Sequence, residues 1–162
     1  MYTPLRLNIL VLLFLVFAVS CAPAAPQTST PISEEELNEA IEDARGSMDT
    51  LFRAMLAPKA SYDFLGVKVR FATQDGTYDD NWVEPVDFYD GKFTIRMMDG
   101  LPYDKNLHPE RTLEVSLKQV VDWMIVEKDG TLIGGYTIRL AYEHMSPDEK
   151  KEFLRVTQYK LK

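Results

Sequence analysis

Near Pro58 the spacing of apolar residues changes period, and that change restricts the chain to a fold with a helical part and a sheet part. Before it, Leu37, Ala40, Ile41, Ala44, Met48, Leu51, Phe52 and Met55 recur every three or four residues, one stripe on an amphipathic helix. After it, Leu65, Val67, Val69 and Phe71 alternate with Gly66, Lys68, Arg70 and Ala72, the pattern of a strand with one buried face. The helix has a start and a stop. Ser33 followed by Glu36 is a capping box, three acids in the first turn suit the helix dipole, and Pro58 ends the run. Residues 33–57 are therefore predicted as one helix of about 24 residues, weakened at Gly46.

Turns then divide the remaining apolar pattern into strands. Gln74-Asp75-Gly76, Asp90-Gly91 and Asp129-Gly130 are turn sequences, and Asp99-Gly100-Leu101-Pro102 opens a polar loop that runs to Arg111. Between them lie a returning strand over 77–86, a third carrying Phe93, Ile95 and Met97, and a fourth carrying Leu113, Val115 and Leu117. Val120 to Val126 is apolar on both faces apart from Asp122, so it is predicted as a central strand. Tyr136 to Tyr142 fits either a strand or a helix face, with helix preferred after Gly134-Gly135. Ser146-Pro147-Asp148-Glu149 opens a last helix with an N-cap Ser and Pro at N1. The expected fold class is α+β. A long N-terminal amphipathic helix packs on a curled, mostly antiparallel sheet of about five strands, with short C-terminal helices.

Several short words stand in a fixed order on this frame. They are Val67-Lys68-Val69-Arg70-Phe71, Asn81-Trp82-Val83, Val120-Val121-Asp122-Trp123-Met124, Gly134-Gly135-Tyr136-Thr137-Ile138-Arg139 and Met145-Ser146-Pro147. As an ordered set they resemble the bacterial family called "domain of unknown function 2314", over about residues 60–157. The resemblance implies a family label and no established activity.

The N-terminus reads as an address. Arg6 precedes eleven apolar residues, Ile9 to Val19, too few for a helix that spans a bilayer core of about 30 Å. Ala18-Val19-Ser20-Cys21 resembles the bacterial lipobox, in which the Cys is lipidated and becomes the new N-terminus. This divides the chain into a signal peptide over 1–20, a lipidated Cys21 with a Pro/Ala/Ser/Thr tether over 21–32, and a single α+β domain over 33–162. The expected location is the bacterial cell envelope. With Ala22 and not Asp after the Cys, it is the periplasmic face of the outer membrane in a Gram-negative cell.

Charge and residue type narrow the function. Loss of Arg6 with the signal peptide leaves 17 of the 18 Lys+Arg against 25 Asp+Glu, a net of -8, which opposes nucleic acid and anionic headgroups alike. Cys21 is the one cysteine, so no disulfide framework or thiol nucleophile is expected elsewhere. The sequence has no Gly-rich phosphate loop and no GxSxG. His108 and His144 lack a ligand at helical spacing, and His144 is expected at the surface or in a cap. No catalytic set, metal site or cofactor is therefore nominated. A binding surface is: Asp80, Trp82 and Glu84 share one strand face, able to hold a cation or stack a sugar, and Asp122 with Trp123 could line a pocket. Asp122 could instead bond the amides of a neighbouring turn, or pair with Arg139 or Lys118. The reading is a membrane-anchored envelope lipoprotein whose non-catalytic domain binds an envelope protein or a small ligand. The alternatives are a carboxylate-based hydrolase and an immunity or stress-type protein.

Overall fold

A computed structural model of the chain describes residues 28–73, 75–97 and 112–161. The signal peptide and Cys21, and the loop expected around His108, lie outside the described residues.

The helical part begins where the capping box places it. Helix α1 spans Glu34–Gly46; the Ser33 hydroxyl accepts from the Glu36 amide and the Glu36 carboxylate accepts from the Ser33 amide. The stripe then continues in a second helix, α2 (Met48–Met55), so the single helix expected over 33–57 is two. The break has a local cause. Ser47 leaves the helical region, and its hydroxyl donates to the carbonyls of Asp43 and Ala44 at 2.9 and 3.0 Å, competing with the helix ladder. It also has a tertiary cause, because Trp123 Nε1 donates to the Ala44 carbonyl at 2.8 Å and to Ser47 Oγ at 3.1 Å.

The sheet has six strands among the described residues: β1 (Tyr62–Ala72), β2 (Tyr78–Tyr89), β3 (Lys92–Met97), β4 (Thr112–Ser116), β5 (Val120–Glu127) and β6 (Leu132–Gly134). It is antiparallel throughout, in the order β4-β3-β2-β1-β5-β6, and remains open. The strand beyond the expected five is β6. Three residues carry no readable alternation, and left-handed Gly134 and Gly135 end it at once. Helix α3 (Tyr136–His144) comes next, then α4 (Pro147–Thr157) behind the Ser146 cap and its Glu149 partner.

Two apolar clusters hold the layers. Ala44, Met48, Leu51 and Ala54 from the helices meet Val67, Val69, Val83, Phe93, Ile95, Trp123 and Ile125 on one sheet face. On the other face Met124, Val126 and Leu132 are covered by Ile138, Tyr159 and Leu161, with Phe64 and Trp82 at the margin. Covered from both sides, β5 is buried from Val120 to Val126. On the second face, strands β2 to β4 carry Asp80, Glu84, Thr94, Arg96 and Glu114, and no helix among the described residues packs over them.

Candidate functional site

Strand register puts Asp80, Trp82, Glu84 and Asp122 on one face and Trp123 on the other, helix-covered face. Lys68 on β1 lies opposite Trp82 on one side and Asp122 on the other, so these three cross the sheet in a row. Trp82 is half-buried, with Lys68 Nζ 6.0 Å from its ring centroid. Asp80 is gripped by Arg70, whose Nε and Nη2 donate to its two oxygens at 2.8 and 2.9 Å. Glu84 accepts from Lys59 at 2.7 Å and from Arg96 at 2.8 Å. The Lys59 bond, with both cations nearby, holds the Glu84 carboxyl below the usual carboxylate range against partial burial.

Asp122 and Trp123 lie inside the molecule, 0% and 1% exposed, and so neither belongs to an exposed surface. Asp122 serves the start of α3. The residue at that helix's N-cap is Gly135, which has no side chain to offer. Asp122 supplies the missing acceptor from the sheet. It takes the Tyr136 amide at 3.1 Å, the Thr137 amide at 2.8 Å, the Thr137 hydroxyl at 2.7 Å and the Trp123 amide at 2.7 Å. Burial pushes its carboxyl above the ordinary range, and the donors from Thr137, Trp123 and Tyr136 offset part of that shift. Of the two structural partners open to it from sequence, the turn's amides are the ones it meets.

The three acids therefore do not converge. Asp80 and Glu84 are four residues apart on one strand, about 13 Å, and Asp122 is two strands away from that line, about 10 Å. No group of three or more His, Cys, Asp or Glu stands close enough to hold a metal ion among the described residues. His144 is engaged elsewhere, between Thr30 and Glu36.

A different concavity is present where the helical layer ends. Beyond α2 the chain passes Pro58 and a 3-10 turn, Lys59–Ser61, into β1, and this corner leaves a cleft of about 320 Å³ over the sheet. Ala54, Met55, Tyr62, Leu65 and Pro85 form its apolar lining, and the Lys59–Glu84 ion pair spans its rim beside Asp63. Its volume lies at the lower end of the range for small-ligand sites, and its wall mixes apolar side chains with the charged Lys59, Asp63 and Glu84. Val86, 44% exposed, is part of its lining. Glu84 is the only nominated residue that lines it. Sequence reasoning passed over Lys59, Tyr62 and Pro85. The usable clue was Pro85, since a proline inside a strand marks a bulge, and the ladder between β2 and β3 does slip between Pro85 and Asp87.

A family model described as "Uncharacterized protein conserved in bacteria (DUF2314)" matches residues 34–158, from the first residue of α1 to just past α4. No curated protein and no solved structure matches the chain.

Proposed function

The chain belongs to the DUF2314 family of bacterial proteins, and on that premise we propose that it is a lipid-anchored envelope protein whose domain binds a ligand in the cleft between α2, β1 and β2. The carrying observation is the cleft: an apolar wall with a charged rim and the exposed Val86 in its lining, beyond the end of α2. The ligand it fits is a short amphiphile, an apolar body against Met55, Leu65 and Pro85 with a polar end at Lys59 or Glu84. A binding role is favoured over hydrolysis because the three acids do not converge, Asp80 being held by Arg70, Glu84 by Lys59 and Arg96, and Asp122 by four donors.

Anchoring is supported by Cys21 at the end of an Ala-Val-Ser lipobox and by the Pro/Ala-rich tether behind it. Residues 22–29 can span roughly 25 Å in extended form, up to Thr30, whose amide is bonded to the domain. Among the described residues no helix is long and apolar enough to cross a membrane. The net charge of -8 after processing keeps the domain off anionic headgroups.

Titration of the protein with octanoate and octylammonium, monitored by backbone amide shifts, tests the cleft. Saturable shifts confined to residues 54–65 and 84–86 are expected, and Ala57→Trp at the mouth abolishes them while the remaining spectrum is preserved. Shifts that never saturate, or that spread unchanged in Ala57→Trp, contradict the reading.

A further inference from the structure

The segment that leads from the tether into α1 is fastened to the end of α3 at one residue, His144, through its backbone carbonyl and its side chain. Thr30 donates its amide to the His144 carbonyl at 2.9 Å, and its hydroxyl meets His144 Nδ1 at 2.9 Å. On the other side of the ring, Nε2 lies 3.1 Å from Glu36 Oε1, while Glu36 Oε2 is held by the Ser33 amide and hydroxyl. His144 is the last residue of α3, which packs against α1, and its side chain is 18% exposed. One imidazole thus joins residues 114 and 108 positions away in sequence, at the point where the chain enters the domain.

We infer that His144 is a latch that holds residues 30–33 against α3 and so fixes where, and in which direction, the tether leaves the domain. Pro31 stiffens the same segment by restricting its own φ and the conformation of Thr30. The latch tolerates either charge state of the ring. A neutral imidazole accepts the Thr30 hydroxyl at Nδ1 and donates Nε2–H to Glu36. An imidazolium donates at both, with the Thr30 hydroxyl turned to accept. From the latched end, α1 and α2 run up to about 33 Å across the sheet before the chain reaches the cleft. Given the anchoring proposed above, a fixed exit at Thr30 sets the end of the domain from which residues 22–29 lead to the lipid, with the cleft at the other end of the helical layer. The latch itself does not depend on lipid.

Amide hydrogen exchange on the full chain reads the latch directly, with or without the lipid, so its failure is distinct from a failure of anchoring. In the native protein the Thr30 amide should exchange at least about tenfold more slowly than in an unstructured peptide, the worth of one or two hydrogen bonds. His144→Ala should remove that protection while amides in the middle of α1 keep theirs. Thr30→Val, which keeps the side-chain shape and loses only the hydroxyl, should lower protection at position 30 without touching α3. Free-peptide exchange at Thr30 in the native chain overturns the inference. So does protection that survives in both variants.

Discussion

Trp123 and Trp82 look alike in the sequence, each beside an acid in a strand, and the fold gives them opposite environments. Trp123 is 1% exposed, meets Tyr136 edge-on and donates its indole proton to the Ala44 carbonyl at the break between α1 and α2. Trp82 is half-buried at the margin of the smaller cluster, under the Lys68 ammonium. Truncating Trp123 to Ala should cost about 3–5 kcal/mol, and truncating Trp82 roughly 1–2, since only part of its ring leaves an apolar contact. Urea unfolding of the two variants checks the ratio, and equal losses contradict the assignment. The strand position of Trp82 was legible from alternation, and that of Trp123 from the continuous apolar run Val120 to Val126. The central strand already pointed to a buried Trp123, but the half-burial of Trp82 and the partner of the Trp123 indole depend on contacts between residues far apart in the chain. Asp122 was legible as an anomaly, a carboxylate in an apolar strand, while its partners 14 and 15 residues later were not. Asp75 gives a residue-scale test of acid stability. Bonds from the Thr73 and Thr77 hydroxyls and the Thr77 amide hold its carboxyl near a pKa of about 2. A lowered folded pKa contributes stability that is complete above the unfolded value and is lost as pH falls through the folded one. Asp75→Asn should therefore lower the melting temperature at pH 7 and differ less from the parent at pH 2, as read by calorimetry.

At the scale of elements, the period of the sequence was a good guide to type and a poor one to interruption. The apolar stripe gave the helical layer and its start at Ser33, yet a stripe continues through a kink, so α1 and α2 merged into one. Ser47 breaks the helix through its own back-bonds and through Trp123, and only the first of those is local. Gly46 sits beside that break with no atom within 4 Å of where a side chain would begin, and its φ is not left-handed. Gly46→Ala should consequently stabilise the protein by about 0.5–1 kcal/mol, seen as a higher urea midpoint with an unchanged slope. A loss of stability would mean that the chain needs glycine to turn between the helices. Gly134 behaves differently, since a side chain there would run into the Trp123 backbone and the φ is positive. The outer edge of β6 was also beyond sequence reasoning. Arg139 donates to the carbonyls of Leu132 and Gly134, and the Lys160 carbonyl accepts from the Leu132 amide, so a three-residue strand ends the sheet with its polar groups satisfied. The cleft escaped for the same reason as β6: the end of α2, the 3-10 turn and a bulged strand each contribute a few residues, and no stretch of sequence displays the set.

At the scale of the molecule, the described residues form an open six-stranded α+β domain with a cleft at one end of its helical layer and a latched entry at the other. That arrangement has a use if the chain is held at a surface through its N-terminus, as proposed from Cys21 and the residues around it. A freely diffusing protein gains little from a fixed exit point, whereas in a tethered one that point sets which end of the domain lies nearest the anchor. Metabolic labelling with palmitate in a bacterial host, comparing the native chain with Cys21→Ser, tests this most directly. The native chain should incorporate label and the variant none. Label retained in Cys21→Ser, or absent from the native chain, would contradict lipid anchoring at this residue and the orientation built on it.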